Sequence, residues 1–145
     1  MIERAKAGSN EKCFFELFRE RVRGVSLAGK RRFVGDNVEI SVDESFIHNG
    51  LSYLIEIDSG NMAKVLVGQY VLINALHTSS REQLFFLVIH TYQDYNPQRT
   101  IKNLELINNK LFRGAGIGFG AIHIDALKRW GGGEVSKFIG LFASA

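Results

Sequence analysis

The sequence has a single cysteine and lacks any long hydrophobic run. With only Cys13, no disulfide can form within the chain, and this thiol lies in a predicted helix, where it is more typical of a small core residue than of a nucleophile. No apolar run approaches the roughly 20 residues that a membrane-spanning helix needs. The first twelve residues also lack the apolar stretch of a secretion signal. We therefore expect a cytoplasmic protein without membrane attachment.

The chain has 145 residues, of which 46% are hydrophobic and 11% aromatic. That is enough apolar surface for one ordinary core without help from disulfides or a structural metal. We find no repeat, low-complexity tract or linker that would divide the sequence. The prediction is one domain spanning residues 1–145.

Charge is distributed unevenly along the chain. Residues 1–34 carry nine Lys or Arg against four Glu, whereas residues 35–60 carry six acids and no Lys or Arg. A basic surface beside an acidic pocket would suit a metal-using enzyme that acts on a polyanion. An ordinary mosaic of surface charges explains the same distribution, so charge alone leaves both interpretations open.

Hydrophobic periodicity indicates alternating helices and strands. Helices are predicted over residues 10–23, 62–76, 100–112 and 135–141. Strands are predicted over residues 33–43, 51–58, 84–89 and 121–127. The run at 84–89 is continuously apolar, as expected for a central strand buried on both faces. The predicted fold class is α/β, with a mixed central β-sheet flanked by helices.

Acidic residues gather at a predicted hairpin. Asn49-Gly50 favours a tight turn, and the strand that follows places Glu56 and Asp58 on one face. Since a tight hairpin pairs the start of one strand with the end of the next, we expect Asp36 to meet both of them. Alternatively, Glu56 and Asp58 line the solvent-exposed face of an edge hairpin.

Three converging carboxylates would bind a hard divalent cation. Magnesium prefers oxygen ligands, usually one or two carboxylates with water and substrate phosphate. The sequence therefore predicts Asp36, Glu56 and Asp58 as ligands of Mg²⁺, with Mn²⁺ as a substitute, and Glu39 as a replacement ligand if a bulge turns it inward.

The stretch from Gly35-Asp36, through Glu56-Ile57-Asp58, to Lys64–Tyr70 resembles the signature of the PD-(D/E)xK, or restriction-endonuclease-like, superfamily. In that family an Asp opens one strand, an acidic-x-Lys tripeptide ends the next, and a helix that often carries Gln packs behind the site. The resemblance covers about the central third of the chain. It implies a restriction-endonuclease-like core and magnesium-dependent hydrolysis of phosphodiester bonds in DNA.

The sequence departs from that signature at two positions, and one of these departures makes a lysine elsewhere a candidate catalytic residue. Gly35 replaces the family's Pro, and Asp58 occupies the position that usually holds the catalytic Lys, as in some members of the superfamily. Lys64, on the following helix, is the candidate to supply the missing cation. Gln69 and Tyr70 could position water or phosphate, although a packed helix face explains Tyr70 equally well.

The basic segment Lys30-Arg31-Arg32 is predicted to bind DNA phosphates on the same side of the molecule as the acidic site. Because one small domain with one site cuts one strand, double-strand cleavage implies a homo-oligomer. Two other interpretations stay open. One is a catalytically inactive nucleic-acid-binding or structural module on the same fold, and the other is a domain with no nucleic-acid role.

Two other features could suggest a site. The glycine-rich run Gly114–Gly120 follows a predicted helix and opens a strand, the reverse of a phosphate-binding loop, so a connection is expected. The histidines His48, His77, His90 and His123 lack metal-ligand spacing. Among them, His90 and His123 end or interrupt strands that we expect to be neighbours.

Overall fold

The computed structural model describes residues 2–61, 63–77 and 81–142, with side chains from residue 8 onward. The helices are α1 Ile2–Arg21, α2 Ala63–Leu76, α3 Pro97–Phe112, α4 Ile124–Arg129 and α5 Val135–Gly140. The strands are β1 Val22–Arg23, β2 Arg31–Gly35, β3 Val38–Val42, β4 Glu44–His48, β5 Leu51–Asp58, β6 Gln83–His90, β7 Gly118–His123 and β8 Gly133–Glu134. Met62, where the sequence predicted the second helix to begin, lies outside the described residues.

A four-stranded mixed sheet in the order β4-β5-β6-β7 forms the centre of the fold. β4 pairs antiparallel with β5 through the Asn49-Gly50 turn, whose φ angles of 50° and 77° match the predicted tight hairpin. β6 runs parallel to both β5 and β7, and it is buried as its continuous apolar run predicted. The predicted α/β class with a mixed sheet flanked by helices is confirmed.

The two faces of the sheet carry separate hydrophobic clusters. Side chains that alternate along β5 divide between them, with Tyr53, Ile55 and Ile57 on one face and Leu54 on the other. The first face packs against α1, α4 and α5, whereas the second packs against α2, α3 and the β2–β3 hairpin. Among the described helices, none combines the length and apolar character needed to cross a membrane.

The prediction of one continuous strand over residues 33–43 is wrong. The chain folds back at Asp36 and Asn37, whose φ angles are 49° and 64°, and β2 pairs antiparallel with β3. Asp and Asn tolerate the left-handed conformation that a tight two-residue turn requires. This short hairpin packs its Phe33 and Val42 into the cluster beneath α2.

The last predicted strand, over residues 121–127, is displaced towards the N-terminus. β7 covers Gly118–His123, and α4 begins at Ile124 because the His123 side chain accepts a hydrogen bond from the Asp125 backbone N–H at 3.1 Å. The glycine-rich run therefore joins α3 to β7, as expected of a connection. Its Gly118 lies against the Phe85 ring, which would be only 2.7 Å from an added Cβ.

The N-terminus of α3 offers a test of local helix stability. Asn96 accepts a hydrogen bond from the Gln98 backbone N–H at 3.0 Å, with Pro97 at the first helical position. We expect Asn96→Ala to lower the free energy of unfolding by about 1 kcal/mol, because the cap is lost. Asn96→Asp should retain wild-type stability. Urea denaturation of the three proteins measures the difference, and equal stability of the Ala variant and the wild type would contradict this role for the cap.

Candidate functional site

Two carboxylates are held side by side, that of Asp43 at the junction between β3 and β4 and that of Glu56 on β5. The β4–β5 register pairs Glu44 with Ile55, which brings Asp43 opposite Glu56. The Asp43 backbone N–H donates to Glu56 Oε1 at 3.2 Å, and the Ile57 backbone N–H donates to Asp43 Oδ2 at 2.8 Å. This reciprocal pair of hydrogen bonds fixes both side chains at the junction between β3 and β4.

Asp36, the predicted partner of Glu56, lies elsewhere. It is exposed in the β2–β3 turn, and the adjacent Gly35 lies against Leu76 at the last residue of α2. Gln69, which lines a cleft with Glu56, is seven residues earlier on that helix, or roughly 10 Å along its axis. The predicted approach of Asp36 to Glu56 is therefore wrong, because the chain reverses direction at the Asp36-Asn37 turn. The acid that lies beside Glu56 is Asp43 instead.

The Glu56 carboxyl has an unfavourable environment for a negative charge. Burial raises the pKa of Glu56 to about 8, and the negative charge of nearby Asp43 adds to this rise. The Asp43 backbone N–H, which donates to Glu56 Oε1, and the nearby Gln69 side-chain amide oppose the rise. Glu56 therefore carries a proton at neutral pH unless a cation replaces it.

Gln69 lies on α2 beside Glu56, on the helix where the resemblance implied a glutamine. It is buried, and its Nε2 donates to the Ser41 carbonyl at 2.9 Å. Its Oε1 is also buried and has no hydrogen-bond partner among the described residues. An unsatisfied buried acceptor costs roughly 1–3 kcal/mol, so this oxygen is available to a ligand. Glu56 and Gln69 line a cleft of about 500 Å³ between the β2–β3 hairpin and α2.

A third carboxylate, that of Glu11 on α1, interacts with Asp43. Although Glu11 as a residue is exposed, desolvation of its carboxyl raises its pKa. The charge and hydrogen bonding of Asp43 raise that pKa further, and the positive charge of Lys30 opposes the rise. The acidic groups thus form a row, Glu11–Asp43–Glu56, on α1, the β3–β4 junction and β5.

This row does not form a ready-made three-ligand site. In the described part of the chain, no group of three or more His, Cys, Asp or Glu side chains is arranged to hold a metal ion. The predicted convergence of Asp36, Glu56 and Asp58 on one ion is therefore wrong. What the structure provides is a close pair of carboxylates, Asp43 and Glu56, with Glu11 next to the first of them.

Asp58 lies on the same face of β5 as Glu56, as predicted, but its carboxylate contacts a buried histidine. His90 is 0% exposed, and its Nδ1 lies 3.1 Å from Asp58 Oδ2. On its other side, His90 Nε2 lies 2.8 Å from Thr100 Oγ1, which in turn contacts the Tyr95 hydroxyl at 2.9 Å. Asp58 is thus fixed by a polar network that reaches to α3. His90 also pairs in register with His123, so these two strands are neighbours as expected.

Lys64 and Tyr70, the other predicted residues of the second helix, do not line the cleft. Lys64 is exposed in the first turn of α2. Tyr70 is fully buried, its hydroxyl donates to the Ile117 carbonyl at 2.5 Å, and burial raises its pKa to about 12. Tyr70 is therefore part of the packed helix face that the sequence offered as its alternative role.

The residues of the basic segment have different partners at different places in the fold. The Arg31 guanidinium forms a two-pronged ion pair with Glu82, with one contact at 2.6 Å, and Arg32 pairs with Glu39 at 2.8 Å. Glu82 comes just before β6, whereas Asp58 pairs with the last residue of that strand. The Arg31 charge is therefore neutralised at the opposite end of the sheet from Asp58.

Lys30 is the member of that segment whose charge acts on the acidic row, because it opposes the rise in the pKa of Glu11. The Glu39 side chain is occupied by Arg32, so it does not serve as the replacement ligand that the sequence suggested, although the residue lines the cleft. Of the three residues predicted to bind DNA phosphates, Arg31 therefore lies away from the acidic site, and Arg32 is paired with Glu39 at the edge of the cleft.

A second basic residue near the site escaped the sequence interpretation. Arg99, in the first turn of α3, donates through Nη1 to Asn61 Oδ1 at 3.2 Å and lies 5.3 Å above the Tyr95 ring. Asn61 follows Asp58 by three residues, so Arg99 lies at the same end of the sheet as the carboxylates. Arg99 is held there by Asn61, which is 38 residues away in the sequence, and no local sequence pattern predicts such a contact.

Comparison with known proteins adds little to this geometry. No protein-family model matches the chain, and no curated protein matches it. Among solved structures, the chain is similar to the crystal structure of AF1548, a protein of unknown function, with 14% identity and a TM-score of 0.42. That similarity covers 81% of this chain and 62% of AF1548, so the chain spans less than two thirds of its neighbour.

Proposed function

We propose that this protein is a magnesium-dependent DNA endonuclease whose metal site is formed by Asp43 and Glu56. The observation that carries the proposal is the carboxylate pair itself. Backbone N–H groups hold both carboxylates in place, that of Asp43 by donating to Glu56 and that of Ile57 by donating to Asp43. Burial and the charge of Asp43 raise the pKa of Glu56 to about 8. A divalent cation would relieve the repulsion between them.

The resemblance to the PD-(D/E)xK nucleases supports this proposal more closely with Asp43 than with Asp36. Asp43 lies beside β5, and Glu56-Ile57-Asp58 ends that strand. The following helix, α2, places Gln69 near Glu56. The order of helix, antiparallel strands, helix and parallel strand also agrees with the predicted core. A restriction-endonuclease-like fold is therefore part of the proposal.

The donor atoms of the site fit magnesium. Two carboxylates are the protein ligands that Mg²⁺ commonly takes, with water and substrate phosphate in the other positions. Asp43 and Glu56 would hold the ion, which when bound supplies a water molecule activated for attack on phosphorus. The unsatisfied Oε1 of Gln69 offers a hydrogen-bond acceptor that can orient a water molecule beside these ligands.

Two positively charged side chains at this side of the molecule suit a polyanionic substrate. Lys30 acts on Glu11 at one side, and Arg99 lies beyond the end of β5 with its guanidinium bonded to Asn61. We assign these two residues to phosphate contact in place of Arg31 and Arg32, which are paired with acids. A DNA strand held by Lys30 and Arg99 would pass over the carboxylate pair.

The alternative is a catalytically inactive nucleic-acid-binding or structural module. It is favoured by one observation, the engagement of Asp58 with His90 at the position where the nuclease motif has Lys. Because Lys64 does not line the cleft either, no lysine of α2 supplies the missing charge. In this alternative the chain binds DNA without cutting it.

Supercoiled plasmid nicking separates the two functions. We expect the wild type to nick DNA with Mg²⁺ or Mn²⁺ and to be inactive in a chelator. Lys64→Ala should retain activity within about twofold, because this exposed side chain lies outside the cleft. Binding of DNA without cleavage of duplex, single-stranded or branched substrates would favour the inactive module.

Double-strand cleavage would require two copies of this site, so a homo-oligomer is part of the proposal. Comparing the order of products tests it. A homo-oligomer that acts on both strands gives linear plasmid without accumulation of the nicked form, whereas a single copy accumulates nicked circles first.

A further inference from the structure

A second cleft opens at the end of the sheet where the carboxylates lie. Its volume is about 660 Å³, and its lining includes Asn10, Ser59, Thr91, Tyr92, Gln93 and Asp94. These residues present amides, hydroxyls, one carboxylate and one aromatic ring. Such a lining matches the hydrogen-bonding edge and flat face of a nucleobase better than it matches a phosphate.

The cleft begins close to the proposed metal site. Ser59 directly follows Asp58, and three strand residues beyond Glu56 correspond to about 10 Å. The Thr91 backbone N–H donates to the Asp58 carbonyl at 3.0 Å, which connects the lining to the end of β5. About 10 Å corresponds to three stacked nucleotides at about 3.4 Å each. The cleft is thus within reach of bases next to the phosphate that the proposed site would cut.

Tyr92 is an exposed aromatic side chain on a firmly held backbone. Tyr92 is 47% exposed. Its backbone carbonyl accepts hydrogen bonds from the Tyr95 N–H at 3.1 Å and from His123 Nε2 at 2.9 Å. The preceding Thr91 is held by Asn10 Nδ2 at 3.0 Å. A ring on a fixed backbone loses little freedom when a base stacks on it.

We propose that this cleft binds an unpaired nucleobase, which stacks on Tyr92 and forms hydrogen bonds with Asn10 and Gln93. A base inside a duplex has its hydrogen-bonding edge and both faces occupied, so recognition of this kind requires a single-stranded or branched region. This inference rests on the proposed function, since it identifies the substrate as DNA with unpaired nucleotides adjacent to the cleavage site.

Fluorescence anisotropy in a chelator tests binding without cleavage. The probes are a labelled blunt duplex and the same duplex with a single-stranded end. We expect Tyr92→Ala to bind the tailed DNA about tenfold more weakly, while its affinity for the blunt duplex stays within about twofold. Tyr92→Phe should bind like the wild type because it keeps the ring. Leu106→Ala, which also truncates an exposed side chain, is the matched control.

A tail built from abasic nucleotides separates base stacking from phosphate contact. It should weaken binding of the wild type as much as Tyr92→Ala does, and the two changes together should add nothing further. Equal losses on blunt and tailed DNA, no loss in Tyr92→Ala, or no binding of tailed DNA by the wild type would overturn the inference. Tyr92-dependent binding without cleavage in magnesium would instead refute only the proposed nuclease activity.

Discussion

The Glu56→Gln variant should have a larger free energy of unfolding than the wild type. The difference should be about 4 kcal/mol at about pH 8 and less than about 1 kcal/mol at pH 5. The reason is that burial raises the pKa of Glu56 from 4.5 to about 8 in the folded protein. Between those pH values the folded state binds a proton that the unfolded state releases. Wild-type stability therefore falls as pH rises through this window and levels off above it, whereas Gln stays neutral throughout.

Urea denaturation of both proteins across this pH range measures the effect. Glu39→Gln is the control, because Glu39 is exposed and its pKa is lowered by Arg32 rather than raised. Its pH profile should follow that of the wild type in the window assigned to Glu56. Parallel profiles for Glu56→Gln and the wild type would contradict the raised pKa of Glu56 and, with it, the electrostatic repulsion assigned to the Asp43–Glu56 pair.

The second large effect concerns catalysis. Asp43→Asn and Glu56→Gln should each reduce magnesium-dependent nicking on the order of a thousandfold, because each removes a charged metal ligand, and the metal contributes several kcal/mol of transition-state stabilisation. Both variants should remain folded, since neither side chain belongs to the hydrophobic clusters. Asp36→Asn should retain wild-type activity, because Asp36 lies in the exposed turn.

This set of variants discriminates between the two possible acidic partners of Glu56. The three substitutions each replace a carboxylate with an amide of similar size, so any difference in nicking reflects position rather than chemistry. Loss of activity in Asp36→Asn with normal activity in Asp43→Asn would contradict the assigned metal site. Circular dichroism of each variant confirms that the comparison is made between folded proteins.

The sequence predicted what local chemistry determines. Alternation along β5 correctly placed Glu56 and Asp58 on one face, and Asn49-Gly50 correctly predicted the hairpin that leads into it. The error arose at a second turn of the same kind. Asp36-Asn37 supports the same left-handed backbone, but the apolar residues on both sides of it suggested one continuous strand. That single turn moved the acidic partner of Glu56 from Asp36 to Asp43.

Contacts between distant parts of the chain could not be predicted in this way. Arg31 and Glu82 are 51 residues apart, and Asp58 and His90 are 32 apart. Each of these pairs depends on how strands and helices are assembled in three dimensions, which periodicity and turn residues do not encode. For that reason the basic segment looked available for DNA in the sequence, although Arg31 and Arg32 are paired with acids in the folded protein.

The most direct test of the metal site is a crystal structure of the protein with Mn²⁺ at a pH above 8, where Glu56 is ionised. Manganese scatters anomalously and substitutes for magnesium at oxygen sites. We predict one anomalous peak bound to the carboxylate oxygens of both Asp43 and Glu56, at about 2.1 Å as for magnesium. Bound manganese at Asp36, or an Asp43–Glu56 pair that stays free of metal at saturating Mn²⁺, would contradict the proposed site.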